Sequence, residues 1–326
     1  MFNINIKTKG VINMNNLKKV GLTALAGSLV AGSVSAADLS ATGTASMSYS
    51  GGDDKAVSGN GWSMSDSFTL SASGDVNDIG VTLSFEVEGS ENNATNQLDS
   101  HSISFDFGDA GTLTFAGHGG SSALGAVDDV MPTANEEPWD VLTGAETNVV
   151  GGGGGNENFL YNYSHDSGLN FAASYTNAAD AVTDVSYHDI GVSYTGIDGL
   201  TVGYAQGDVE YTTGTKQEQH TMYATYAMGG FTVGLQTSEN DQAGSTNDRE
   251  STGMGISYQV NDDLAVSYGT HQIEFNSGQD QDTSAVSASY TMGSLSISGS
   301  MHSGDNIGNT DGNNREAYEL NLVFNF

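Results

Sequence analysis

Arg315-Glu316-Ala317-Tyr318-Glu319-Leu320-Asn321-Leu322-Val323-Phe324-Asn325-Phe326 closes the chain. Tyr318, Leu320, Leu322, Phe324 and Phe326 recur at every second position, with Glu319, Asn321, Val323 and Asn325 between them. A period of two places these sets on opposite faces of a strand, one apolar and one mostly polar. The strand ends on an uncovered aromatic, which in water would be a sticky edge. In a closed membrane barrel the apolar face meets lipid and the edge pairs with another strand.

The same alternation recurs along the chain. Val81, Leu83, Phe85 and Val87 are separated by Thr82, Ser84 and Glu86, and Met254, Ile256, Tyr258 and Val260 by Gly255, Ser257 and Gln259. Leu295, Ile297, Gly299 and Met301 alternate with a row of serines from Ser294 to Ser300, which suits a water-filled lumen and not a dry core. Sixteen strands are predicted, at 39–50, 62–73, 79–89, 98–107, 112–118, 158–165, 169–176, 185–195, 200–210, 217–228, 231–239, 250–260, 263–275, 283–293, 295–303 and 315–326. The connections alternate long and short. Gly51–Gly61, Gly89–Gln97 and Gly304–Asn314 are long and polar, whereas Gly108–Gly111, Asp166–Gly168, Gly229–Gly230 and Asn261–Asp262 are tight. That parity is the layout of an all-β, antiparallel transmembrane barrel with long external loops, short periplasmic turns and both termini in the periplasm. Aromatics form two rows: Tyr163, Tyr194, Tyr226, Phe231, Tyr258 and Tyr290 near the short turns, and Tyr49, Tyr175, Tyr187, Tyr211, Tyr268 and Phe275 near the long loops. Such rows match the girdles at membrane interfaces.

Composition agrees. The 326 residues include 44 glycines, 2 prolines and no cysteine, and no apolar run after the N-terminus is long enough for a membrane helix. Residues 1–36 read as a signal peptide, with Lys18 and Lys19 before an apolar run and Val34-Ser35-Ala36 as the cleavage pattern; Met14 is a candidate true start. Four of the eight basic residues (Lys7, Lys9, Lys18 and Lys19) and none of the 40 acidic ones lie in that segment. The remaining barrel, residues 37–326, therefore carries 40 acids against Lys55, Lys216, Arg249 and Arg315. A polyanion of this kind excludes nucleic acid as a partner and attracts cations, and adaptation to a salty medium accounts for it equally well.

One long connection, about 119–158, lacks strand alternation. A loop of that length in a compact architecture is functional or disordered, and Pro132, Pro138 and Trp139 stiffen and anchor this one. It carries Asp128, Asp129, Glu136, Glu137, Asp140 and Glu146. The five-glycine run Gly151–Gly155 has no following Lys-Ser or Lys-Thr, so it is no phosphate loop and reads as a flexible hinge.

With the signal peptide, the pair Ser104-Phe105-Asp106-Phe107-Gly108-Asp109-Ala110-Gly111-Thr112-Leu113-Thr114-Phe115, the acidic loop after it and terminal Phe326, the chain resembles the sixteen-stranded general porins of alphaproteobacterial type. The resemblance covers the whole length after the leader. It implies an inward-folded third loop that narrows the barrel to an eyelet, association into a homotrimer and residence in the outer membrane. It makes Asp128, Asp129, Glu136, Glu137, Asp140 and Glu146 candidates for the constriction. Tyr318, Phe324 and Phe326 resemble the signal read by the barrel-assembly machinery.

One departure matters. Such porins commonly set basic residues on the wall opposite the acidic loop, but the four basic residues here fall in or beside external loops by periodicity. Inward positions offer Glu86, Asp106, Gln236, Gln259 and Glu319 as pore-lining wall. The expectation is a cation-preferring channel for passive diffusion of small hydrophilic solutes. A surface-displayed adhesin or structural β protein is the competing class; it has no use for an inward loop or a terminal Phe. Catalysis is not expected: His118, Ser121 and Asp128 can be assembled into a triad on paper, but any chain this rich in Ser and Asp supplies one. No cofactor is implied. The histidines lack metal-ligand spacing, while the acidic external loops, Asp311-Gly312-Asn313 among them, offer oxygen ligands for Ca²⁺ without a complete ligand loop.

Overall fold

The computed structural model describes residues 37–52, 61–89, 98–177, 185–211, 216–242 and 248–326. The leader at 1–36, Lys55, and most of the loops expected at Gly51–Gly61 and Gly89–Gln97 lie outside them. Sixteen strands form: β1 (Asp38–Gly52), β2 (Trp62–Val76), β3 (Ile79–Gly89), β4 (Leu98–Asp106), β5 (Thr112–His118), β6 (Asn158–Ser164), β7 (Leu169–Thr176), β8 (Val185–Ile197), β9 (Leu200–Tyr211), β10 (Lys216–Met228), β11 (Phe231–Gln242), β12 (Arg249–Gln259), β13 (Leu264–Phe275), β14 (Gln281–Met292), β15 (Leu295–Asp305) and β16 (Arg315–Asn325). Each pairs antiparallel with its sequence neighbours, and β1 closes on β16. Every predicted strand is present. The main extensions, as in β2 and β11, run three residues past the predicted ends, beyond the apolar–polar alternation of the sequence.

Closure runs from Gly52↔Ala317 to Thr44↔Asn325, and Phe326 completes it through Gly43 N–Phe326 O at 2.7 Å and Phe326 N–Gly43 O at 2.9 Å. A side chain at Gly43 would run into the Phe326 ring, so the terminal aromatic packs back over the first strand.

The register sorts the two faces. Met47, Met64, Phe68, Leu83, Phe85, Val192, Met254, Met301 and Leu320 all point outward and are exposed. An outer surface this apolar belongs in lipid. The outward row near the short turns is as predicted, with Phe231 stacked on Tyr258 at 4.3 Å. The row near the long loops is corrected in part. Tyr49 and Tyr268 are outward, and Tyr49 packs on Trp62 (4.9 Å) and Tyr318 (6.3 Å). Tyr187, Tyr211 and Phe275 share register with inward residues instead: Tyr211 Oη donates to inward Gln217 at 3.0 Å, and Phe275 packs under the third loop.

The buried apolar residues lie inside the barrel. Leu124, Val149 and Val150 of the long loop pack on Ala205 and Ile273 of the wall, flanked by Val127 and Phe275. Leu142 packs on Ile307 and Ala317. The hydrophobic core of this protein is the seam between a loop and one side of its own barrel.

Candidate functional site

Residues 119–157 fold inward from a closed root, where Gly120 and Gly155 exchange both backbone hydrogen bonds (2.8 and 2.7 Å). The strand register turns one inward side chain after another toward this loop, and they take up its backbone groups. Ser174 Oγ (β7) accepts from Ala123 N at 2.9 Å. Asp189 (β8) accepts from Gly153 N at 3.1 Å, and Gln219 (β10) from Gly151 N at 3.0 Å. Gln236 (β11) accepts from Val130 N at 3.0 Å and donates to Val127 O and Asp128 O at 2.8 and 2.9 Å. Ser267 (β13) accepts from Ala134 N at 2.8 Å. Gln281 (β14) accepts from Glu146 N at 2.9 Å and donates to Glu146 O at 2.7 Å. Buried backbone groups must be paired, and here much of the pairing is done by wall side chains because the loop has little regular structure of its own beyond one 3-10 turn at Gly125–Val127.

Shape complements this. Pro132 lies where side chains at Gly234 and Gly255 would stand, at 2.5 Å (Cδ) and 2.9 Å (O) from their would-be Cβ atoms, and Pro138 Cγ lies 3.1 Å from that of Gly269. Trp139 is buried, its ring edge on His271 at 4.4 Å, and His302 Nδ1 lies 3.3 Å from Pro138 O. The prolines and tryptophan anchor the loop as expected. The hinge reading of Gly151–Gly155 is corrected for its three central residues. A Cβ at Gly152 would overlap Ser122 Oγ, at Gly153 the Tyr187 side chain, and at Gly154 the Gly120 carbonyl. These glycines serve close approach, not hinging.

The acids divide into three groups. Asp128 and Asp129 are hydrogen-bonded to each other, and burial, then Asp129, pushes Asp128 up to about 7. Glu136 meets the carboxyls of Asp140 and Glu319 and rises to about 7, by burial first and then through those neighbours. Glu137 rises to about 8 from burial, then Asp129, Asp140 and Glu136, and its Oε2 has no hydrogen-bond partner among the described residues. Glu146 stands apart: its Oε2 is 2.7 Å from Arg249 Nη1, and the Arg249 guanidinium lies over Phe275 at 5.7 Å. It therefore moors the loop to β12 and contributes no unpaired charge. Arg249 and Arg315 stand beside the long loops as expected, at the first positions of β12 and β16, and the register turns both inward.

The five wall residues all have inward register, with different surroundings. Glu86 receives Ser100 Oγ at 3.5 Å. Asp106 accepts from Gly108 N at 2.9 Å and shapes the short turn, as does Gln259 through Asn261 O at 2.6 Å. Gln236 is covered by the loop and is a mooring instead of pore lining. Glu319 faces Glu136, and Asn321 Nδ2 donates to both, at 2.9 and 3.3 Å. In the 306–314 loop, Asn306, Asn309 and Asn313 side chains bond neighbouring backbone, as in Gly312 N–Asn306 Oδ1 at 3.1 Å. The group of described residues whose carboxylate oxygens lie within 4.8 Å of one another is Glu86, Glu88 and Asp99.

Asp189, Gln219, Gln281, Asn321 and the bare track Gly234–Gly255–Gly269 were not anticipated. Their signal is present in the sequence: large polar residues and glycines appear among Ser and Thr at inward positions from β8 onward.

On the opposite side Ser and Thr predominate at the inward positions of β1–β4, with Asp75, Glu86, Glu88 and Asp106 nearer the strand ends. Thr44 pairs with Ser67 (3.0 Å), Ser48 with Ser63, and Ser71 with Ser84 (3.3 Å), while Ser104 meets Thr114 of β5 (2.8 Å). Most of them are exposed or half-exposed.

The fold is similar to OmpT of Vibrio cholerae in its trimer form, with 15% identity, 89% of this chain and 99% of that chain covered, and a TM-score of 0.68. It is similar to the anion-selective porin from Comamonas acidovorans (14%, 89% and 100% covered, 0.67) and to a mutant of the Rh. blastica porin (15%, 89% and 100% covered, 0.65). A search of curated proteins gives no significant sequence match. A family model described as Gram-negative porin matches residues 21–326. With that match over nearly the whole chain, on a closed barrel of sixteen strands, the chain belongs to the Gram-negative porin family, the channel-forming barrels of the outer membrane.

Proposed function

We propose that this porin passes small hydrophilic solutes passively and prefers cations. The observation that carries the reading is the contrast across the lumen. A loop bearing Asp128, Asp129, Glu136, Glu137 and Asp140 faces hydroxyl side chains of β1–β4, with Arg249 drawn away to Glu146 on the moored side. A surplus of fixed negative charge in a water-filled constriction concentrates cations and excludes anions. The comparison porin from Comamonas is described as anion-selective, so the fold supports either sign and the side chains decide.

The same reading makes residues 1–36 a cleaved leader, about 119–158 the constriction loop, and Tyr318, Phe324 and Phe326 the part handled by the barrel-assembly machinery. It assigns no catalysis and no cofactor, and leaves Ca²⁺ among the cations that acidic external loops attract. It also takes the barrel to be a homotrimer. β5 and β6 have seven residues each. That is short of the roughly 9–11 that a tilted membrane strand needs, so this side of the wall suits a neighbouring subunit better than lipid.

The test is the reversal potential of the purified protein in a planar bilayer under a KCl gradient. Cation preference is expected, and Thr69→Arg with Ser71→Arg on the hydroxyl wall is expected to bring it close to neutral. Anion preference in the native protein would overturn the reading.

A further inference from the structure

The last strand meets the loop at a pair of acids. Glu136 of the loop and Glu319 of β16 approach within hydrogen-bonding range of one another, and one amide, Asn321 Nδ2, donates to Glu319 Oε2 at 2.9 Å and Glu136 Oε1 at 3.3 Å. Asp140 closes the other side of Glu136, and its Oδ2 is held in turn by Glu137 N at 2.8 Å. Two carboxyl groups in contact form a hydrogen bond only when one keeps a proton; as two anions they repel.

The ladder positions beside the pair carry no charge. Across the ladder Glu319 is flanked by Ser50 on β1 and Ser300 on β15, and Asn321 by Ser48 and Ser298. The charged and titratable groups packed around the pair are Asp128, Asp129, Glu137 and Asp140 from the loop, His302 from β15, His271 from β13 beneath Trp139, and Arg315 four residues along β16 on the same face. His302 turns Nδ1 to Pro138 O and His271 lies against Trp139, while His302 Nε2 and His271 Nδ1 have no hydrogen-bond partner among the described residues.

We infer that Glu136, held against Glu319 by Asn321, keeps a proton that it donates to Glu319, and that this proton sets how strongly the pore distinguishes cations from anions. With the proton held, the pair presents one negative charge at the narrowing; with the proton lost, it presents two. Cation preference therefore steps upward as pH rises through the neutral range, where burial and its neighbours place Glu136. Asn321 is a positioning residue: it offers its two N–H groups to the anionic forms and keeps the carboxyls together. The inference rests on the cation-preferring reading above.

The experiment is the reversal potential of the full-length barrel under a KCl gradient, from about pH 5 to about pH 9, a span that brackets ordinary carboxylates and this pair. The native pore is expected to show a several-fold rise in cation-to-anion permeability ratio, with a midpoint near neutral. Glu319→Gln removes one carboxyl and supplies an amide donor to Glu136, so the midpoint is expected to fall by at least one pH unit, roughly a tenfold change in proton affinity. Asn321→Ala removes the donor to both anions and is expected to raise the midpoint. Asp106→Asn, at the short turn, is expected to leave it unchanged. Cation preference that is flat across the range, or a midpoint that Glu319→Gln does not move, would overturn the protonated pair and leave the cation reading standing. Anion preference at every pH would defeat both. A flat native titration overturns the inference without any variant, and the opposite shifts expected of Glu319→Gln and Asn321→Ala separate the pair from Asp128 and Glu137, which rise into the same range.

Discussion

The wall formed by β1–β4 and the wall formed by β7–β15 share one ladder, one register and one alternation of faces, yet their inward residues do opposite work. On the first, Ser and Thr hydroxyls bond one another across the strands and stay half-open to water. On the second, Gln219, Gln236 and Gln281 are buried by a loop whose backbone they satisfy, and Gly234, Gly255 and Gly269 give that loop room. The difference shows how a barrel with one repeating pattern acquires an asymmetric lumen. Short hydroxyls leave one wall open, whereas long amides and absent side chains hold an obstacle against the other. The acids borne by that obstacle then face a surface whose described residues carry no positive charge to cancel them.

The most severe way to break this comparison is at the loop root. Gly153 N donates to Asp189 Oδ2 at 3.1 Å, its carbonyl accepts from Asn158 Nδ2 at 3.2 Å, and the space for a side chain is taken by Tyr187. Gly153→Val is expected to lift the loop from its seat and raise single-channel conductance several-fold, with the folded barrel still visible by heat-modifiable gel migration. The matched change on the open wall, Ser67→Val, should leave conductance close to native. Native conductance in Gly153→Val would mean that this loop does not set the narrowing.

Less severe is Trp139→Ala. The indole is buried between loop and wall with its edge on His271, and emptying such a site costs about 3–5 kcal/mol. That loss falls on loop seating and leaves the ladder itself untouched. The expected result is a noisier open-channel current with little change in the temperature at which the barrel unfolds on a gel. A large drop in that temperature would show that the seam stabilises the barrel as a whole.

Most of the fold was legible because a membrane barrel writes its structure locally. Each strand declares two faces through a period of two, as in Leu295–Met301 with its serines, and the parity of long and short connections checks the count. The site was less legible because it depends on which inward residue meets which stretch of an irregular loop. Six acids could be named for the loop, but spacing could not separate Glu146, neutralised by Arg249, from Glu136, held against Glu319. Tyr187 and Tyr211 misled for a related reason. Near the external rim both faces of a strand accept tyrosine, and only the register shows that these two point inward. The glycines of the second wall were visible as residues but not as a track, since their alignment across β11, β12 and β13 exists only once the strands pair.

The finest test compares one hydrogen-bonding side chain from each wall. Gln281 is wholly buried; it accepts from Glu146 N at 2.9 Å and Gly308 N at 3.1 Å and donates to Glu146 O at 2.7 Å. Gln281→Leu keeps the bulk and removes all three partners. The stranded backbone groups have no route to water, so a loss of about 1–3 kcal/mol is expected. Ser71 Oγ lies 3.3 Å from Ser84 Oγ on the open wall, where water replaces a lost partner. Ser71→Ala is therefore expected to change stability by no more than about 0.5 kcal/mol. Denaturant titration of both variants in detergent reads the difference directly. If the two losses were equal, the second wall would hold its loop no more firmly than the first wall holds water, and the asymmetry of the lumen would have to come from the acids alone.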